Sequence, residues 1–206
     1  MLVLGGCGKT VEFRPHDYDY FYKRNVLILE ATPLPPLSEE TLKKVEDRVE
    51  TWLESSPYLG RVISRQFVRN SLTDDRATRS RYELLSDITS VLAIAERELT
   101  LDMARSQKVD FVATIQALRL PCPHCDRSDR VAVIAQMFEV QNATLVWRVS
   151  ASRDVAGDAD SQAIAEAVDL VTDDLLDTME HQFKPKWHRL RFLRIKGQVP
   201  GETAGG

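Results

Sequence analysis

Cys122-Pro123-His124-Cys125 has the residue types and spacing of a thiol–disulfide oxidoreductase active site. That chemistry needs a helix directly after the motif, because the helix N-terminus stabilises the first thiolate. Here Asp126 to Asp129 reads as a turn, and Arg130 opens a run of strand-like residues, so the activating helix is not expected. The same letters fit one knuckle of a zinc ribbon, which requires a second Cys or His pair at a matching distance. His16, His181 and His188 are the histidines outside the motif, and none supplies such a pair nearby. The expectation is therefore a disulfide between Cys122 and Cys125, bracing a turn between two antiparallel strands in an oxidising compartment. Closing so short a loop contributes at most about 2 kcal/mol. Redox or metal chemistry at Cys122, His124 and Cys125 is the alternative.

Catalysis is otherwise not visible. The sequence has no G-x-S-x-G elbow and no H-E-x-x-H, and the pairs Asp74-Asp75 and Asp173-Asp174 read as surface charge. Nothing places a base beside a nucleophile. The chain is expected not to be an enzyme and to need neither cofactor nor metal.

The third cysteine carries a different chemistry. Leu4-Gly5-Gly6-Cys7 has the form of a lipobox, in which small residues admit the signal peptidase and the thiol takes the lipid. Only six residues precede Cys7, so a working signal needs a start upstream of Met1. Gly8-Lys9-Thr10 has the ending of a P-loop, but Val3 stands where that loop requires glycine. The expectation is lipid attachment at Cys7 and a domain on the periplasmic face of the outer membrane.

At the other end, Lys184, Lys186, Arg189, Arg191, Arg194 and Lys196 alternate with Trp187, Leu190, Phe192 and Ile195. This basic and apolar mixture suits anionic headgroups or an acidic partner. Lys184, Lys186, Trp187, Arg189, Arg191, Phe192 and Arg194 are the candidate contact residues; an edge strand docked on the domain is the competing reading.

Between these ends the pattern is that of a folded domain. Residues 8–24 read as a tether, 25–183 as a single domain, and 184–206 as a tail with a disordered end; 1–7 is the signal remnant. Val26-Leu27-Ile28-Leu29 is a continuous apolar run, as in a strand buried on both faces. Ser38 caps a helix to residue 55 whose apolar positions are Leu42, Val45, Val49, Trp52 and Leu53. Residues 60–68 read as a strand, 70–81 as turn, and 82–106 as a long helix or two helices broken near Thr100. Strands follow over 109–120 and in the stretch 130–152, which turns at Gln141-Asn142-Ala143. A last helix is capped at Asp160 or Ser161 and shows Ile164, Val168, Val171, Leu175 and Met179 on one face. The predicted class is α/β: a mixed sheet of about five strands packed with three or four helices.

A chain of 206 residues with 43% hydrophobic and 28% charged residues suits one sizeable soluble domain. A net charge of -4 argues against general nucleic-acid binding. No apolar run is long enough for a membrane-spanning helix.

The stretch RVAVIAQMFEVQNATLVWRVSAS, residues 130–152, with KVDFVATIQAL before it and the helix over 160–182 after it, resembles one family. It is similar to the periplasmic domains of the curli-secretion lipoprotein CsgG and the TolB amino-terminal domain. With NVLILE and Cys7 the resemblance spans most of 25–183. It implies a non-enzymatic envelope lipoprotein that associates with itself or with other envelope proteins in transport, secretion or surface-polymer export. Asn142-Ala143 stands where the family often has a turn glycine. Residues 70–90 lack the roughly ten-residue alternation of a membrane strand, so no pore is expected.

Overall fold

The computed structural model describes residues 9–13, 20–30, 37–71, 75–92, 95–121 and 128–183. Along the chain these form β1 (Lys9–Phe13), β2 (Val26–Ile28), α1 (Glu39–Ser55), β3 (Val62–Ile63), α2 (Arg65–Ser71) and α3 (Arg76–Leu92). Then come α4 (Arg97–Gln107), β4 (Phe111–Pro121), β5 (Ser128–Glu139), β6 (Leu145–Ala156) and α5 (Ser161–Phe183). The class is α/β, with six strands in one open mixed sheet of order β1-β6-β5-β4-β2-β3 and five helices among the described residues. The pairs β1–β6, β6–β5 and β5–β4 are antiparallel, whereas β2 pairs in parallel with both β4 and β3.

Local chemistry explains most of the boundaries. The Ser38 side chain accepts from Thr41 N at 3.1 Å, and Leu42, Val45, Val49 and Leu53 form the buried stripe of α1. Asp160 accepts from Ala163 N at 2.8 Å and opens α5, which buries Val168, Val171, Leu175 and Met179. The β2 residues Val26, Leu27 and Ile28 are wholly buried, as a strand flanked by two parallel neighbours requires.

Residue alternation distributes two cores over the two sheet faces. Val26, Ile28, Phe111, Ala113, Ile115, Val131, Val133 and Ala135 pack with α1 and α5. Leu27, Leu29, Val112 and Phe138 pack with Val68 of α2, Tyr82 and Leu85 of α3 and Met103 of α4. Phe183 closes the first core, its ring centroid 5.4 Å from Trp147, 5.6 Å from Trp52 and 5.8 Å from Phe21. Trp147 Nε1 donates to Gln182 Oε1 at 2.6 Å, which fixes the last turn of α5 to the sheet.

Three segments differ from the sequence expectation. Residues 9–13, predicted as tether, form the edge strand β1 and pair with Arg148–Ser152 of β6. Residues 60–68 hold only two strand residues. Ser64 Oγ accepts from Phe67 N at 3.1 Å and turns the chain into α2 instead. Helix α3 begins at Arg76 rather than Tyr82, because Asp75 accepts from Ala77 N and Thr78 N, both at 3.1 Å. Those bonds, with the Thr78 hydroxyl foremost, hold the Asp75 carboxyl below its usual range. The break in the long helix falls ahead of Thr100, where Glu96 accepts from Leu99 N at 2.7 Å and starts α4.

Candidate functional site

The cysteine motif is carried by the β4–β5 hairpin. Eleven register pairs run from Phe111↔Glu139 to Pro121↔Asp129, so the chain enters the motif from one strand and leaves it into another. β5 starts at Ser128, so the first described element after Cys125 is a strand. Cys122, His124 and Cys125 themselves lie outside the described residues, as do Cys7, Lys184, Lys186, Trp187, Arg189, Arg191, Phe192 and Arg194.

What the fold does define is where these segments leave it. Lys9, two residues after Cys7, pairs with Ser152 near the end of β6, and Ala156 at that end pairs with Ser128 of β5. The Cys7 segment and the Cys122–Cys125 segment therefore depart from the same end of the sheet. Lys9 lies two strand spacings from β5 and three from β4, roughly 10–15 Å across the sheet, and about 13 Å short of that end along β6. The tail departs after Phe183, at the other end, because α5 runs back along the sheet for 23 residues, about 34 Å. Topology thus directs the described residues Lys9, Pro121 and Ser128 toward one end of the sheet and Phe183 toward the other.

The shared end is tightly braced. Arg119 Nε donates to Asp129 Oδ2 at 2.7 Å across the hairpin, and Arg119 Nη2 donates to Gly157 O at 2.9 Å. Arg130 Nε donates to Asp154 Oδ1 at 2.8 Å between β5 and β6. These pairs cancel their own charge, and Leu120 stands beside them 47% exposed. The sequence reading missed this brace. Its signal is an Arg near the end of one predicted strand and an Asp near the start of the next, which the register sets diagonally, Arg119 opposite Val131 and Asp129 opposite Pro121.

A second feature is a cleft of about 420 Å³ between α1, α2 and α3. Its centre is the Arg65 guanidinium, whose side chain is only 11% exposed. Arg65 pairs with Glu46, donates from Nε to Glu50 Oε2 at 2.8 Å, and reaches Asp47 Oδ1 from Nη2 at 2.8 Å. Its backbone N–H also donates to Glu50 Oε1 at 2.9 Å. Burial alone would lower the Arg65 pKa, but Glu46 and Glu50 together outweigh it and raise it. Tyr82 forms part of the wall; its hydroxyl accepts from Glu30 N at 3.0 Å and donates to Ile28 O at 3.4 Å. Burial drives this hydroxyl well above its usual range, so it keeps its proton and cannot serve as a base. The Arg65 bonds fasten α2 to α1, and Tyr82 fastens α3 to the β2 chain.

Among the described residues no group of three or more His, Cys, Asp or Glu is placed to hold a metal ion. None of the described helices is long and apolar enough to cross a membrane.

No family model matches the sequence. None of the curated proteins matches it either. Solved structures to which the chain is similar include the PelC dodecamer from Paraburkholderia phytofirmans, at 11% identity and a TM-score of 0.37, covering 82% of this chain and 98% of that one. Lipoprotein GNA1162 from Neisseria meningitidis is similar at 14% identity and a TM-score of 0.40, over 75% of this chain and 99% of its own. A hypothetical protein from Chlamydia trachomatis is similar at 11% identity and a TM-score of 0.44, over 78% and 98%. All three are distant likenesses of architecture.

Proposed function

We propose that the chain is a non-enzymatic lipoprotein, attached through Cys7 to the periplasmic face of the outer membrane. In this reading it is a structural or assembly component of an envelope transport, secretion or surface-polymer machine. The observation that carries the reading is the place of Cys7 in the sequence relative to β1. The small-residue run Leu4-Gly5-Gly6-Cys7 ends two residues before β1, so cleavage at Cys7 would leave every described strand and helix intact. The antiparallel hairpin and closing helix also agree with the resemblance to the CsgG and TolB amino-terminal domains. Association with itself or with other envelope proteins belongs to the same reading.

The test is intact mass and membrane fractionation of the protein expressed from its own locus with the upstream DNA included. A diacylglyceryl and acyl mass on Cys7 in the outer-membrane fraction supports the proposal. An unmodified chain in the cytosol sinks it. Free-thiol counting on the same material decides the fate of the motif. Absence of free thiol at Cys122 and Cys125 supports a disulfide brace, whereas a reactive low-pKa thiol supports the redox alternative.

A further inference from the structure

We infer that the end of the sheet formed by Leu120–Pro121, Ser128–Arg130 and Ala156–Asp158 rests on the bilayer that holds Cys7, with the sheet standing upright on it. The inference rests on lipid attachment at Cys7.

Chain length limits how far the sheet can stand from the anchor. Cys7 lies two positions before Lys9, the first residue of β1, a reach of at most about 7 Å. A lipidated Cys7 sits at headgroup level, so Lys9 lies within that distance of the headgroups. Five register pairs fix β1 to β6, so Lys9 cannot move away from the sheet. The partner of Lys9 is Ser152, and β6 continues for four residues beyond it to Ala156, roughly 13 Å. β5 and β4 continue with it, through Ser128↔Ala156 and Pro121↔Asp129. In an upright sheet this end therefore extends further than the chain allows for clearance, and it must meet the interface.

The composition of that end fits the contact. The pairs Arg119–Asp129 and Arg130–Asp154 cancel their own charge, which leaves Asp158 as the exposed charge among the described residues of that end. Leu120 and Pro121 are exposed apolar side chains there, and Arg119 ties the hairpin to Gly157, so the contacting end is stiff. The opposite end, with Gln141 and the exit of the tail after Phe183, then faces away from the bilayer. β6 alone spans 12 residues, about 40 Å, between the two ends. A partner recognised by the tail would meet it on the side away from the anchoring membrane.

The experiment uses the full chain, lipidated in cells from a locus with its upstream DNA and carrying Cys122→Ser and Cys125→Ser. Single cysteines introduced as Leu120→Cys, Phe13→Cys or Gln141→Cys are labelled with the fluorophore NBD. The protein is placed in phosphatidylethanolamine–phosphatidylglycerol vesicles containing a headgroup-nitroxide lipid. Strong loss of fluorescence at position 120, less at 13 and none at 141 is the expected order. Quenching at 13 equal to that at 120 means the sheet lies on its β1 edge, and quenching strongest at 141 means it is inverted; either overturns the inference while leaving Cys7 lipidation standing. Absence of lipid on Cys7 by mass overturns the lipoprotein reading and the inference with it. If the serine variants do not fold, amide exchange on the unaltered lipidated protein reads the same contact. Slower exchange at Leu120 and Ser128–Arg130 in vesicles than in the Cys7→Ser protein, with Gln141–Ala143 unchanged, supports it. Equal exchange at Leu120 and Ser128–Arg130 in the two proteins overturns it.

Discussion

Arg119 and Asp129 join β4 to β5 across the base of the cysteine loop, with Nε to Oδ2 at 2.7 Å and side chains only 14% and 25% exposed. Arg130 and Asp154 make a pair of nearly the same length one strand further on, but at 42% and 43% exposure. Burial decides which of the two matters. Arg119→Ala leaves a half-buried carboxylate and the Gly157 carbonyl without their donor, and is expected to cost about 1–2 kcal/mol. Arg130→Ala removes a solvated pair and is expected to cost less than about 1 kcal/mol. Urea unfolding of the two variants beside the parent measures both; equal losses would show that the hairpin base is not braced through Arg119.

Arg65 is the stronger case. Glu46 and Glu50 are 4% and 9% exposed, and Arg65 is the cation that both of them meet. Arg65→Ala is expected to destabilise the protein by about 3–5 kcal/mol, because two buried carboxylates lose their partner. Replacing Arg65, Glu46 and Glu50 together by Met, Leu and Leu should recover most of that loss. Thermal unfolding of the single and triple variants tests it, and a triple variant no more stable than Arg65→Ala would refute it.

Tyr20 gives the fold an alkaline limit. Burial first, and then its hydrogen bond to Glu139, push the Tyr20 hydroxyl from 10.0 up to about 12. The raised pKa means that the folded state keeps a proton that the unfolded chain gives up. The contribution to stability is therefore complete below pH 10 and is lost as the pH rises from 10 through 12. Tyr20→Phe should flatten the fall of stability across that window. Denaturant midpoints of parent and variant between pH 9 and pH 12 (the window about the shifted value) should converge at the top of it.

These three sites differ in how far the sequence announced them. Helices α1 and α5 were legible because Ser38 and Asp160 mark their starts and the apolar residues recur at helical spacing. The β4–β5–β6 meander was legible because its strands are long, apolar and adjacent in the chain. β1 was not, since five residues without a wide apolar face become a strand only by pairing with β6, some 140 positions away. The stretch 60–68 misled because Val62 and Ile63 start a strand that Ser64 ends at once, and the helix after it depends on Glu50 receiving the Arg65 N–H. The parallel pairing of β2 with β4 likewise depends on a crossover that no local pattern encodes. The Arg65 cluster did have a local signal: Glu46 and Glu50 fall on the same stripe of α1 as Leu42, Val49 and Leu53, where a carboxylate implies a buried cation.

The turn between β5 and β6 carries a departure from the resembled family that the backbone explains. Ala143 has φ 55°, a left-handed conformation in which its Cβ crowds the carbonyl, and glycine adopts it without that penalty. Asn142 Oδ1 accepts from Thr144 N at 3.1 Å and closes the turn, so the chain there is held whatever occupies position 143. The left-handed strain costs an alanine about 1–2 kcal/mol, and the added freedom of glycine in the unfolded chain offsets some of the relief. Ala143→Gly is therefore expected to stabilise the protein by about 0.5–1 kcal/mol. Lys108, with the same φ of 55° directly after α4, provides the comparison, and Lys108→Gly should act in the same direction. Gly60 is the converse. A Cβ there would lie 2.5 Å from the Lys23 carbonyl oxygen, so Gly60→Ala should destabilise the protein even though its side chain is small. Denaturant titration of all three variants tests the argument as a set, and a loss of stability on Ala143→Gly would show that the turn is not strained at that residue.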